Sequence, residues 1–427
     1  MNEHTPVKRR PISWHVARWG EEDFSRGAWS YIRPGGSPAD RWTLAEPIDG
    51  RFALCGEAMG THQPAMTHGA FESGERAARW CLSVGAAGER VAVIGAGVAG
   101  IAAARVLRDA GLEPIVLEAR DRIGGRVHTI ELPGAGDTPA ADAGAAWLQQ
   151  FDRNPLARLA TGVAATLVPT DFHRPLAAGS GEVGDVGAAL DLLRGAAAVA
   201  AHGQSISDVV DVMDLAGDDR RAMRHAIDAD VVLETGASPA DTSARWFFAE
   251  DGVGNGDHWI VGGYRVLLDH LVTGIEVRLN EPVRSIDWSD SGVTVRTDRR
   301  TIAADRCICS VPISLLQHGE PALTPGLPLG HAEALARIGL GVVEKVVLRF
   351  EERWWPRPEH GYMRWHDTPA SWGEWLDLTD GCGVPIVAGL IAGDAVARHH
   401  HGRTDEEVAH AAAAALEQWA EAVISRR

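Results

Sequence analysis

The stretch 91–128, VAVIGAGVAGIAAARVLRDAGLEPIVLEARDRIGGRVH, constrains the fold of this chain more than any other. Residues 91–94 are all apolar, as a parallel strand buried on both faces requires. Gly95, Gly97 and Gly100 then stand at G-x-G-x-x-G spacing, and residues 101–109 continue as a helix whose N-terminus faces a pyrophosphate. Gly95 permits the tight turn, Gly97 lets backbone N–H groups approach phosphate with no Cβ in the way, and Gly100 lets the helix pack on the sheet. A second apolar strand at 114–117 leads to Glu118, whose carboxylate can accept from both ribose hydroxyls and would repel a 2′-phosphate. Strand, turn, helix, strand and acid in register predict a dinucleotide-binding α/β unit and disfavour NADP.

Arg122-Ile-Gly-Gly-Arg126 follows directly. Its glycines let the chain fold back over the dinucleotide, and its arginines can supply charge-assisted bonds to phosphate. The run EARDRIGGR resembles the glutathione-reductase-like FAD superfamily, and within it the flavin-containing amine oxidases. The cofactor contacts expected from this part are Gly95, Gly97, Ala99, Gly100, Glu118, Ala119, Arg120, Gly125 and Arg126. Asp142-Ala-Gly144-Ala-Ala-Trp147 resembles the family's segment beside the flavin, which implies contacts from Ala146 and Trp147. Gly262-Gly263 and the pieces between 283 and 312 resemble the second stretch of the FAD domain, with Val283 on the adenine side. IGLGVVEKVVLRF at 338–350, with Trp354-Trp355 close behind, resembles the strand that presents a lysine to the flavin, here Lys345.

The family's closing signature stands at the N-terminus. Arg18-Trp19, the run from Ser25 to Tyr31, Gly56-Glu57-Ala58 and His68-Gly69-Ala70 resemble it in order, which implies cofactor contacts from Gly56, Glu57 and Met66. The pieces thus follow the order of a circularly permuted amine oxidase, its old termini joined through 82–90. The expected fold is α/β and monoamine-oxidase-like: a glutathione-reductase-like Rossmann FAD domain (12–168 and 255–315) plus an α+β substrate domain (169–254 and 316–427). Residues 170–249 lack flavin motifs and read as mostly helical.

Composition sets the partners that are excluded. A formal charge of -17 argues against nucleic acid and against an anionic membrane surface, since both reward Lys and Arg density. No run of 18 or more apolar residues occurs, and the first residues carry charge without an apolar core, so a soluble cytoplasmic protein without membrane attachment is expected. The five cysteines form no secreted-style framework; Cys307 and Cys309 would share one face of a strand. His399-His400-His401 reads as a surface turn and no metal is expected, because neighbours in sequence rarely converge on one ion. A homodimer is expected by family analogy alone.

The resemblance implies an oxidase that takes a hydride from the carbon beside an amine or amide nitrogen, leaving an imine or acyliminium, and gives hydrogen peroxide from molecular oxygen. Lys345 would hold a water against the reactive flavin nitrogen. Its apolar setting makes a buried ammonium costly unless it is useful. Ala28 stands where membrane-bound members carry the cysteine that attaches flavin, so FAD should be noncovalent. Trp29 and Met66 occupy the two walls of the family's aromatic cage, leaving one aromatic wall. His68 replaces a glutamate and reads as either an acid or base near the flavin or a packing residue. A half-open cage fits a larger, less basic substrate, such as an amide-bearing intermediate of antibiotic biosynthesis, oxidised and then closed by Mannich-type macrocyclisation. A polyamine oxidase stays open, as does an L-amino-acid oxidase anchored by Arg337 or Arg364, a carotenoid-type desaturase, or a noncatalytic FAD-binding scaffold.

Overall fold

The computed structural model describes residues 9–134, 136–179, 184–250, 256–367 and 371–425. The boundary expected at 254/255 lies outside the described residues. A five-stranded parallel sheet carries the glycine turn, in the order Val277–Arg278, Glu113–Leu117, Arg90–Ile94, Arg306–Cys309, Phe52–Leu54. Alternation along the central strand explains why both faces are covered. Val91 and Val93 pack with Ala78, Ile101 and Ala104 of the helices Thr67–Val84 and Val98–Asp109. Ala92 and Ile94 pack the other way, with Leu44 of the helix Pro38–Ala45 and with Val295 and Ile302 of an antiparallel sheet. Cys307 and Cys309 share that second face, as expected, while Ile308 joins the first. The two helices approach closely because Gly74 has no side chain: a Cβ there would lie 2.0 Å from the Ala99 carbonyl oxygen.

A six-stranded sheet holds Lys345, in the order Ser13–Val16, Val343–Arg349, Ile386–Ala392, Ser371–Asp377, Tyr362–Trp365, Leu176–Ala178. The helix Asp405–Ser425 covers its outer face with Val408, Ala412, Leu416, Trp419 and Val423. Thr404 and Glu407 start that helix by reciprocal bonds, Thr404 N to Glu407 Oε2 at 2.8 Å and Glu407 N to Thr404 Oγ1 at 3.3 Å. The region read as mostly helical holds the helices Val186–Ala198, Ile206–Asp211 and Gly217–Ala226, then a π-helix, Ile227–Val232. One expectation is corrected. His399 and His400 belong to the helix Asp394–His400 rather than to a surface turn, because His400 is buried against the Trp372 ring at 5.9 Å. Among the described residues no cluster of three or more potential ligands could hold a metal ion, and no helix is long and apolar enough to cross a membrane.

Candidate active site

A cavity of about 820 Å³ runs from the carboxyl ends of the parallel strands to the inner face of the six-stranded sheet. Its dinucleotide end is lined by Gly95, Gly97, Ala99, Glu118, Ala119, Arg120, Gly125, Arg126 and Val283, and Gly56, Glu57, Ala146 and Trp147 also border the cavity. Trp29, Met66 and Lys345 border it too. Two of the expected residues do not. Gly100 packs behind the turn, where a Cβ would lie 1.9 Å from Gly95 O. His68 is buried in the first turn of the helix Thr67–Val84, 3.3 Å from Asn154 Nδ2, and burial lowers its pKa.

The dinucleotide end is an open cradle. A Cβ on Gly97 would come no closer than 3.9 Å to its nearest neighbour across the turn, Gly124 O, so the space beside this turn is shaped by the missing side chain. Gly124 N donates to Ala96 O at 2.8 Å, and this bond folds the second glycine pair back over the first. Glu118 is buried and accepts from Ala96 N at 2.7 Å and Arg120 N at 2.9 Å. A carboxylate has about four acceptor positions, so capacity remains for ribose hydroxyls. These features fit a dinucleotide.

The arginines at this end also make bonds within the protein. Arg120 donates to Glu22 Oε1 at 2.6 Å and Ser25 Oγ at 2.8 Å, and Arg126 pairs with Glu57 at 3.0 Å. Arg122 donates to Gly125 O at 2.9 Å. These bonds brace the loops with part of the five N–H donors of each guanidinium, and Arg120 and Arg126 also border the cavity.

Lys345 is 5% exposed. Its Nζ donates to Gly144 O at 2.5 Å and Asp142 O at 3.2 Å and lies 5.3 Å from the centre of the Trp147 ring. Burial lowers its pKa to about 8, against the opposing pull of Asp142. The neighbouring Glu344 points away from it, because successive strand residues face opposite sides. Glu344 accepts from Trp19 N at 2.7 Å and Gly20 N at 2.8 Å, tying the N-terminal loop to the strand, and burial raises its pKa to about 8. An acid beside a lysine in an apolar strand was a readable signal for this anchor.

The side chains that local motifs did not reveal lie toward the six-stranded sheet: Tyr362, Glu374, Asp230 and Glu234 all line the cavity. Arg364 lines it too, but its Nη2 donates to Glu374 Oε1 at 2.5 Å, so it is already matched by a carboxylate. Arg337 pairs with Asp40 at 3.3 Å and Glu333 at 3.2 Å, and is not among the residues lining the cavity. An amino-acid carboxylate anchor has no support at either position.

A Rossmann-type sheet, an open glycine cradle and a buried lysine on a second sheet define a flavoprotein oxidoreductase fold. The family model described as flavin containing amine oxidoreductase matches residues 5–82, 98–183 and 189–425, and the chain belongs to that family. FAD is the cofactor that family membership assigns. Relatives include polyamine oxidase 4 of Oryza sativa subsp. japonica, 29% identical over 338 residues, covering 71% of this chain and 67% of the relative. Lysine-specific histone demethylase 1 homolog 1 of Arabidopsis thaliana is 28% identical over 335 residues, covering 72% of this chain; the chain spans only 40% of that relative. Among solved structures, wild-type putrescine oxidase bound to putrescine aligns with TM-score 0.61 at 22% identity, over 77% of this chain and 81% of that one. Cyclohexylamine oxidase from Brevibacterium oxydans aligns with TM-score 0.61 at 22% identity, over 76% and 79%. Both likenesses are of fold.

Proposed function

We propose that the protein is an oxidase that removes a hydride equivalent from the carbon beside a substrate amine nitrogen, with molecular oxygen as the final acceptor and noncovalent FAD as cofactor. The observation that carries this reading is Lys345, a buried amine held in the same cavity as the dinucleotide cradle. Bound FAD supplies the hydride acceptor, and its reoxidation by oxygen gives hydrogen peroxide. The chain's residues do the remaining work. Two of the three N–H bonds of a Lys345 ammonium go to the carbonyls of Asp142 and Gly144, leaving the third to hold a water. With a pKa near 8 the amine can also give up that proton and take it back in the neutral range. Trp29 and Met66 are the proposed walls beside the substrate nitrogen, and the half-buried Trp29 donates its indole N–H to Glu234 O at 2.6 Å.

The same reading takes the chain as circularly permuted, with an FAD part at 12–168 and 255–315 and a substrate part at 169–254 and 316–427. In support, the N-terminal strand Phe52–Leu54 pairs with Arg306–Cys309 at the edge of the dinucleotide sheet. A second reading of the substrate rests on Met66: with one aromatic wall, a bulkier amide-bearing molecule of secondary metabolism can enter. That reading resembles lankacidin cyclase, where amide oxidation precedes Mannich closure of a macrocycle. Product masses separate the two, since hydrolysis of an imine releases an aldehyde and ammonia whereas cyclisation retains the nitrogen.

Replacing Lys345 with Met tests the oxidase reading. FAD is expected to remain bound and still to bleach anaerobically with amine, while peroxide-forming reoxidation slows roughly tenfold to hundredfold. Unchanged reoxidation kinetics would remove Lys345 from the mechanism.

A further inference from the structure

The groups that hold Lys345 are themselves held from behind the cavity wall. Both carbonyls that accept from its Nζ, Asp142 O and Gly144 O, and the Trp147 ring 5.3 Å from it belong to one short segment, 142–147. Residues 143–146 lie outside any strand, so the shape of the segment depends on bonds made from elsewhere. Its middle is tied by Ala143 N to His128 O at 2.8 Å and by Ala145 N to Arg126 O at 3.2 Å.

Its two ends meet at a single residue. Tyr264 N donates to the Asp142 carboxylate, at 3.1 Å to Oδ2 and 3.2 Å to Oδ1, and Tyr264 Oη donates to Trp147 O at 2.7 Å. Tyr264 is 1% exposed, and burial raises the pKa of its phenol, so Oη keeps its proton. With that proton committed to Trp147 O, the 2.9 Å bond between Oη and Thr67 Oγ1 runs from the threonine to the tyrosine. Thr67 opens the helix Thr67–Val84 and lines the cavity beside Met66. One phenol thus joins the Lys345 wall to the start of that helix.

The local sequence explains why Tyr264 reaches both ends. Gly262 and Gly263 hold φ of +85° and +79°, a left-handed turn that glycine adopts without strain, and the helix Arg265–Val272 follows directly. A Cβ on Gly263 would lie 2.5 Å from Thr129 Oγ1 and 2.6 Å from Asp142 Oδ1, so the turn presses against the carboxylate only because the side chain is missing. Thr129 Oγ1 donates to Asp142 Oδ1 at 2.6 Å and completes that end. The Tyr264 ring belongs to the core that includes Leu148, Ile260 and Leu267, which keeps it in place if the hydroxyl is removed.

We propose that Tyr264 is a positioning residue for the oxidase reaction: it clamps both ends of 142–147 and so fixes the two carbonyls and the ring that orient the Lys345 ammonium. Tyr264 is not among the residues lining the cavity, so it acts through Lys345 rather than on substrate or cofactor. Losing the hydroxyl frees Trp147 O, lets Gly144 O move relative to Nζ, and turns the remaining N–H away from the water it holds; small misplacements of such a group are costly in rate. The inference rests on the oxidase reading of Lys345 for its consequence, not for its geometry.

Lys8 and Lys345 are the only lysines in the chain, which gives a reporter almost free of background. In holoenzyme grown on lysine labelled with carbon-13 at Cε, with Lys345→Met assigning the two signals, Tyr264→Phe is expected to shift or broaden the Lys345 resonance and leave that of Lys8 in place. Holoenzyme reduced photochemically and mixed with oxygen should reoxidise about threefold to tenfold more slowly in Tyr264→Phe, and the same substitution made in Lys345→Met should change the rate by less than about 1.5-fold, because residues acting as one unit are not additive. A hydroxyl that only stabilises the fold would slow both backgrounds alike. Thr129→Val, which loosens the Asp142 end at a position outside the cavity lining, should show the same dependence on Lys345 and stands in if Tyr264→Phe loses its flavin. An unmoved Lys345 resonance, unchanged reoxidation in Tyr264→Phe, or equal slowing with and without Lys345 would overturn the clamp. Native and Lys345→Met proteins that reoxidise equally fast would instead remove Lys345 from the oxidase reading, and the resonance would still decide the positioning.

Discussion

The two ends of the cavity are built from different materials. At the dinucleotide end the shape comes from backbone and from side chains that are missing: Gly97 opens the cradle, and the nearby arginines are turned to Glu22, Glu57 and loop carbonyls. Toward the six-stranded sheet it comes from side chains delivered by separate strands, Lys345, Leu390, Glu374 and Arg364, with Asp230 and Glu234 from the helical segment. A backbone site fails when an atom is added. A side-chain site is graded, because each charge or ring can be changed without closing the space.

The sharpest way to break this contrast is Gly97→Leu. Because a Cβ meets nothing closer than 3.9 Å, the fold should persist, with an unchanged circular dichroism spectrum, while FAD affinity falls at least about a hundredfold, close to 3 kcal/mol. Gly100→Ala is the control in which the turn itself is expected to fail, since its Cβ would sit 1.9 Å from Gly95 O. A Gly97→Leu protein that keeps its flavin would show that the cradle is not where the dinucleotide lies.

Where side chains shape the cavity, a smaller, graded effect is expected. Met66→Phe restores a second aromatic wall, and kcat/KM for small monoamines should rise roughly threefold to tenfold, the scale of a cation–π contact. No gain would mean that Met66 does not flank the reacting nitrogen.

The smallest effect concerns stability. Burial raises the Glu344 pKa to about 8 and that of Asp142 to about 6. A carboxyl with a raised folded pKa stabilises fully below its unfolded value, near 4, and that contribution is lost as pH climbs through the folded value. The Tm of the native protein should therefore fall by a few degrees relative to that of Glu344→Gln between pH 5 and 8, while the buried His128, His225 and His400, lowered to about 4, act in the opposite sense in both proteins. Lys345 acts with the opposite sign, because its lowered pKa makes stability rise with pH, but only above about 8. A difference in Tm between the native protein and Glu344→Gln that stays constant from pH 5 to 8 would contradict the burial of Glu344.

The same contrast explains what could be read from the sequence. A cradle made by absent side chains leaves glycines at fixed spacing, so Gly95, Gly97, Gly100 and Glu118 were legible from one short stretch. Lys345 was legible from the resemblance of its strand to the family's lysine-bearing strand, with the cost of a cation among valines as support. Glu374 and Tyr362 were not, and Arg364 was read only as a carboxylate anchor, because their meeting with Lys345 depends on strand order and on the two-residue shift at Trp372 and Gly373, neither of which is local. Asp230 sits on a π-helix, whose wider turn breaks the helical periodicity that would have shown which way it faces. His68 carried two readings in sequence. Its place against Asn154, away from the cavity wall, favours packing at the helix start.

The most direct test of the oxidase reading is the visible spectrum of the purified protein during anaerobic titration with a panel of monoamines, polyamines and amides, followed by readmission of oxygen. An oxidised-flavin absorbance that bleaches with one of them and returns with hydrogen peroxide is the expected result. A protein without flavin absorbance, or a flavin that none of them bleaches, would contradict it.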